Sequence, residues 1–217
     1  MAVSPMFPLG TVLFPSQLLP LHVFEPRYRQ LTVDCLRDDR GFGVVLIERG
    51  SEVGGGDVRT NVGTLARIVQ AQPFPDGRWA LMTVGTTRVR VVEWLPDDPY
   101  PRAEIDELPD DAASPNAAEA LQRVVPLLRA VLARKAELGE PAAAATTELS
   151  DDVVLASYQA SAVAPVGPVD HQRLLCAPGP DARLALLREL LEDERAFLDA
   201  RLAIDGRGDM PHSGEVG

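Results

Sequence analysis

The sequence predicts an α+β chain in which a β-rich front half with one early helix, residues 1–110, precedes a helical back half, residues 111–204. Three observations predict it. Short apolar runs separated by Pro, Gly, Asn and Asp fill residues 7–108, with period-two alternation of Val89 and Val91 against Arg88 and Arg90. Beyond Pro109 the apolar spacing changes to the threes and fours of a helix. The composition, 46% hydrophobic and 24% charged, is that of an ordinary globular protein, with its core volume in Leu, Val, Ile and Ala because only 5% is aromatic.

Taken in order, Leu18 to Phe24 reads as a strand, and Pro26 opens a short helix through Tyr28, Leu31, Cys35 and Leu36 that Gly41 should end. Phe42 to Ile47 is a continuous apolar run, Ser51 to Asn61 a mobile loop around Gly54-Gly55-Gly56, and Gly63 to Gln72 the next strand. Pro73-Phe74-Pro75-Asp76-Gly77 is a turn, which makes Trp79 to Val84 a hairpin partner. Thr87 to Leu95 and Ala103 to Asp106 alternate as strands with one wet face, on which Arg88 and Arg90 are expected. About six strands at this spacing suggest a small mixed barrel or curled sheet. Ser114-Pro115 then signals a helix start, with Leu121, Val124, Leu128, Val131, Leu132 and Leu138 following at helical spacing across a kink at Pro126. Ser150-Asp151-Asp152 caps a helix toward Val163, Asp170 to Cys176 is a short helical piece, and Asp181 to about Leu202 is a long amphipathic helix. Residues 205–217 show no periodicity and read as a disordered tail.

Charge and cysteine content exclude several functions. With 21 basic and 32 acidic residues the net charge is -11, and the second half holds most of the excess acid. A nucleic-acid binder normally presents a basic face. Two distant cysteines, Cys35 and Cys176, do not make a disulfide framework and suit a reducing compartment. The apolar stretch from Phe7 to Phe24 is broken by Pro8, Pro15 and Pro20 and lacks a charged leader, so neither a signal peptide nor a membrane span is expected, and the protein reads as cytoplasmic.

No catalytic or ligand-binding constellation emerges. Lys135 is followed by Ala136, so there is no P-loop, and the triple glycine lacks dinucleotide-binding spacing. No closed metal-ligand set surrounds His22, His171 or His212, and neither cysteine has the context of an activated thiol. The acidic pairs at 38–39, 97–98, 110–111 and 151–152 fall in turns and caps, where solvation explains them. No cofactor, metal or catalytic residue is expected.

The opening Phe7-Pro8-Leu9-Gly10-Thr11-Val12-Leu13-Phe14-Pro15, running into Leu19-Pro20-Leu21-His22-Val23-Phe24-Glu25-Pro26-Arg27-Tyr28-Arg29, resembles the amino-terminal substrate-binding domain of the ATP-dependent protease Lon. Gly41 to Ile47, Val62 to Ile68 and Val84 to Val91 match that family's later strands in order, and His171 to Leu175 with Arg183-Leu184 resemble its helical part. The resemblance implies a PUA-like β pseudo-barrel followed by a helical bundle, and a non-catalytic module that holds exposed or unfolded polypeptide, an adaptor or regulator in protein quality control. Whole family members continue into an ATPase and a Ser-Lys peptidase, which this chain stops before, so proteolysis is not expected of it. The alternative is RNA binding by the PUA-like barrel, which the net charge disfavours.

An extended peptide would meet such a module at a strand edge or an apolar groove. Phe74 and Trp79, beside the turn, are the sequence-visible candidates, although Trp79 also fits as the first buried strand residue. Phe24 and Tyr28 lie within the motif, but a strand end and an apolar helix face suit them better to the core. Arg27 and Arg29 suit either an acidic partner or ion pairs with Glu25 and Asp34.

Overall fold

Two long strands organise the front half of the computed structural model, which describes residues 2–38, 41–49 and 58–208. These are β4 (Val58–Pro73) and β5 (Trp79–Leu95), paired antiparallel from Val62 opposite Arg90 to Pro73 opposite Trp79. Their turn closes with Phe74 N–H donating to the Arg78 carbonyl at 2.9 Å and Gly77 N–H to the Phe74 carbonyl at 2.9 Å. Gly77 has φ +82, a left-handed conformation that costs any residue with a Cβ.

The strands β1 (Ala2–Leu9), β2 (Leu18–Val23), β3 (Gly41–Arg49) and β6 (Arg102–Glu107) complete a sheet of order β2-β5-β4-β3-β1-β6, and a further β5–β6 pairing closes it into a barrel. One side of β5 serves two partners in succession, β2 along Trp79–Val84 and β6 along Val89–Leu95. Helix α1 (Pro26–Arg37) packs Tyr28, Leu31 and Cys35 against Phe7, Phe42, Val44 and Leu81. Tyr100 holds the helix by donating its Oη proton to Asp34 at 2.9 Å, and burial together with that bond pushes the phenol up to about 12.

The back half is α2 (Ala117–Glu137), α3 (Val153–Val163), α4 (Pro168–Cys176) and α5 (Pro180–Gly208). Leu128, Val131, Leu132, Leu174, Leu184, Leu187 and Leu191 form its core, which Val12, Phe14 and Leu46 enter from the front half. Asp152 caps α3 by accepting the Leu155 N–H at 2.8 Å.

Several local expectations are corrected. β1 is a strand that Pro5 and Pro8 hide from the pattern, and it pairs β6 along Ala2–Pro5 and β3, in parallel, along Met6–Leu9. The two runs on either side of Gly85 are one strand, and β4 begins at Val58, inside the expected loop whose residues 51–57 lie outside the described ones. Asp38, not Gly41, is the C-cap of α1. Asn116, not Ser114, stands at the N-cap of α2, because Ser114 Oγ instead donates to Asp181 at 2.5 Å. Helix α5 runs to Gly208, four residues into the expected tail. The rest of that tail, 209–217, lies outside the described residues.

Arg88 is the largest correction, for it is not on a wet face but 2% exposed. It leaves β5 for the helical half, where Nη1 donates to the carbonyls of Leu175 at 2.7 Å and Ala177 at 2.6 Å, and Nη2 to that of Pro109 at 3.2 Å. Nη2 also lies 2.5 Å from Asp110 Oδ1, which takes Arg183 Nη2 at 2.8 Å and Tyr158 Oη at 2.9 Å. Arg183 is itself buried, with its guanidinium 3.7 Å from the centre of the Tyr158 ring. Asp110 is therefore the shared counter-ion of two buried arginines, not a solvated turn residue.

Candidate functional site

Strand β2 is the open edge of the sheet, since among the described residues it pairs only with β5. Pro20, which has no backbone donor, is tolerated there for that reason. Leu21 and Val23 point into the barrel, while Leu18, Pro20 and His22 point outward and are exposed. Directly across lie Val84, Met82 and Ala80 of β5, half-buried, and beyond Met82 and Ala80 come Gln70 and Gln72 of β4. Side chains opposite one another in antiparallel strands share a face. These eight make a surface with no Asp, Glu, Lys or Arg, bordered by Arg67 opposite Val84, in a chain of which 24% is charged. Leu18 is 60% exposed at one end of it, and Val69, at a bulge in β4, is exposed beside it.

At the other end of β2 the surface runs into a corner where the sequence candidates converge. Phe24, Phe74 and Trp79 line one cavity of about 260 Å³ with His22, Val23 and Arg78. Phe24 is 55% exposed and Phe74 39% exposed, whereas Trp79, opposite Val23, turns to the barrel side and rests half-buried against its core. Small-molecule sites typically enclose about 300–1,000 Å³, so this cavity is of a size for one large side chain. A neighbouring recess of about 170 Å³ lies between Phe7, Leu9, Leu21, Phe24 and Tyr28. Tyr28 forms its floor from within the core, 3% exposed and stacked on Phe7 with ring centroids 4.0 Å apart.

Electrostatically the corner differs from the rest of this acidic chain. Arg27 pairs with Glu25 at 3.1 Å. Arg78 pairs with Asp76 at 2.7 Å and lies over the Phe74 ring at 5.8 Å. The backbone N–H and guanidinium of Arg78 hold the Asp76 carboxyl below the ordinary carboxylate range. Arg29 does not take the ion pair with Asp34 that its spacing suggested, because Asp34 is occupied by Tyr100, Gln30 and Arg37. Its guanidinium instead lies against Gly77 so closely that a Cβ there would collide with Nη2.

Of the five candidates, Phe24, Phe74 and Trp79 are thus brought together, Arg29 lies beside them, and Tyr28 supports them from the core. Leu18, Pro20, Met82, Ala80 and Gln70 were not singled out. Only the exposed half of the Leu18–Val23 alternation pointed toward them, and its cross-strand neighbours come from segments about 50–60 residues away. Physically, the open edge offers main-chain hydrogen bonds, the neutral face apolar contact, and the corner a socket for a side chain. Among the described residues no three His, Cys, Asp or Glu side chains are placed to hold a metal ion, and no helix is long and apolar enough to cross a membrane.

Residues 3–193 match the family described as the ATP-dependent protease La (LON) substrate-binding domain. The chain is 35% identical to Lon protease 2 of Myxococcus xanthus over 96% of its own length and 26% of that protein's. It is 33% identical to the Lon protease of Anaeromyxobacter dehalogenans over 96% of its length and 25% of the relative's. It therefore spans about a quarter of these relatives. Among solved structures, a Lon N-terminal domain protein from Xanthomonas campestris superposes with TM-score 0.63 at 28% identity, covering 86% of this chain and 97% of that one. The N-terminal domain of Mycobacterium avium complex Lon protease superposes with TM-score 0.65 at 15% identity, covering 88% and 99%, which is a likeness of fold.

Proposed function

The chain belongs to the Lon substrate-binding domain family, and on that premise we propose that it binds exposed or unfolded polypeptide segments without cleaving them. The observation that carries this reading is the uncharged face of β2, β5 and β4 beside an unpaired strand edge. A folded protein has few extended, uncharged segments with free backbone groups, whereas an unfolded one has many. Phe24, Phe74 and Trp79 would receive one large apolar or aromatic side chain of the segment. Tyr28 supports the socket from below.

We assign no bond-breaking step to the described residues, in which no serine hydroxyl is hydrogen-bonded to a histidine or lysine. With that binding we propose the role of an adaptor or regulator in protein quality control, in the cytoplasm. RNA is disfavoured because the face itself carries no Lys or Arg, with Arg67 and Arg78 standing only at its two ends.

Fluorescence anisotropy with a labelled, reduced and unfolded polypeptide, set against the same polypeptide in its native folded form, tests the reading. Saturable binding of the unfolded form, lost on Met82→Asp in the middle of the face, is expected. Equal affinity for both forms, or none for either, overturns it.

A further inference from the structure

We propose that Arg29 is a specificity residue that reads a carboxylate on the bound segment, so that the corner selects a large apolar side chain with an acidic group close by. The inference rests on the polypeptide-binding reading and narrows its substrate class. Three observations carry it. The guanidinium of Arg29 has no hydrogen-bond acceptor or ion-pair partner among the described residues, although Arg27 and Arg78 on either side of it have Glu25 and Asp76. Its guanidinium lies against the backbone of Gly77, one residue from Arg78 and three from Phe74, at the tip that supplies two sides of the socket. The carboxylate within its helical reach, Asp34, is already occupied by Tyr100, Gln30 and Arg37.

A guanidinium placed in this way keeps its planar fork available, the geometry that matches a carboxylate. The local balance is favourable, because the three arginines Arg27, Arg29 and Arg78 stand here with Glu25 and Asp76 while the whole chain carries -11. An acidic segment drawn to this corner would meet repulsion over much of the remaining surface, which favours one register on the β2 edge. The carboxylate has two sources in a polypeptide, an Asp or Glu side chain and the chain terminus.

Three fluorescently labelled octapeptides, each with one Phe among Ser and Val, separate the possibilities. One ends in a free carboxylate two residues after Phe, one is amidated and carries Asp at that position, and one is amidated and neutral. An exposed ion pair contributes up to about fivefold in affinity, so the first or second peptide should bind the wild type about fivefold more tightly than the third, and which of them does so identifies the source. That preference should vanish in Arg29→Gln, survive in part in Arg29→Lys, and weaken as salt is raised. Equal binding of all three to the wild type, or an undiminished preference in Arg29→Gln, overturns the assignment. Binding of none refutes the reading of the face and the assignment with it.

Discussion

Replacing Arg88 by Met should destabilise the whole chain, because this side chain ties the barrel to the helices. Met keeps the length and apolar stem but withdraws a charged donor from the carbonyls of Leu175, Ala177 and Pro109. Hydrogen bonds that involve a charged group contribute about 1.5–3 kcal/mol each, net of exchange with water. Removing one member of a buried ionic group costs about 3–5 kcal/mol. Asp110 keeps Arg183 and Tyr158, so no carboxylate is stranded and the cost should stay within that range. Against a total stability of about 5–15 kcal/mol this is a large fraction, and with a urea slope of about 1–3 kcal/mol per molar it lowers the midpoint by roughly 1–5 M. Both tryptophans, Trp79 and Trp94, lie in β5, while four of the five helices lie in the back half, so fluorescence follows the first and far-UV circular dichroism mainly the second. The two transitions should coincide in the wild type. Arg90→Met, at an exposed position two residues on, should stay within about 0.5 kcal/mol of it. An Arg88→Met loss below about 1 kcal/mol, or separate wild-type transitions, refutes the reasoning.

Phe24→Ser removes an exposed ring from the socket, so affinity for an unfolded polypeptide should fall by about tenfold or more while the urea midpoint barely moves; unchanged affinity would remove the corner from the site. Gly77→Ala forces a Cβ into φ +82 and against Arg29, and should cost about 1–2 kcal/mol in chemical denaturation, with a wild-type midpoint counting against the turn geometry. His171 is pushed below its ordinary value of 6.5 by burial, with Nε2 3.1 Å from the Ala164 carbonyl. The unfolded chain therefore takes up this proton before the folded one does, so its contribution is complete above about pH 6.5 and is lost as pH falls below that. Urea midpoints at pH 7.5 and 5.5 should differ more in the wild type than in His171→Gln, and equal differences would show that another group controls the dependence.

Much of the architecture is legible from spacing alone, because burial repeats with the period of the local structure. Pro26 at the head of α1, the turn before Trp79, the carboxylate that caps α3 and the leucine stripe of α5 all stand where period and capping chemistry put them. The run from Phe7 to Arg29 also carried the family likeness without any coordinates. Phe74, Trp79 and Phe24 were accessible to the same reasoning, since an aromatic beside a turn or strand end is conspicuous where aromatics are few.

What remained hidden depends on which distant segments meet. The alternation around Val89 placed Arg88 opposite a buried valine and so in water, but that side of β5 is covered by the C-terminal end of α4 and the link that follows it, whose carbonyls no local pattern announces. Asp110 looked like a turn residue for the same reason. The neutral face is assembled from Leu18, Pro20 and His22 with side chains some 50–60 residues later, and its lack of charge exists only once β2, β5 and β4 are in register. Period reports which way a side chain points relative to its neighbours in the chain. Only the closed sheet and the helices packed on it decide whether that direction leads to water, to a counter-ion or to a surface on which another chain can lie.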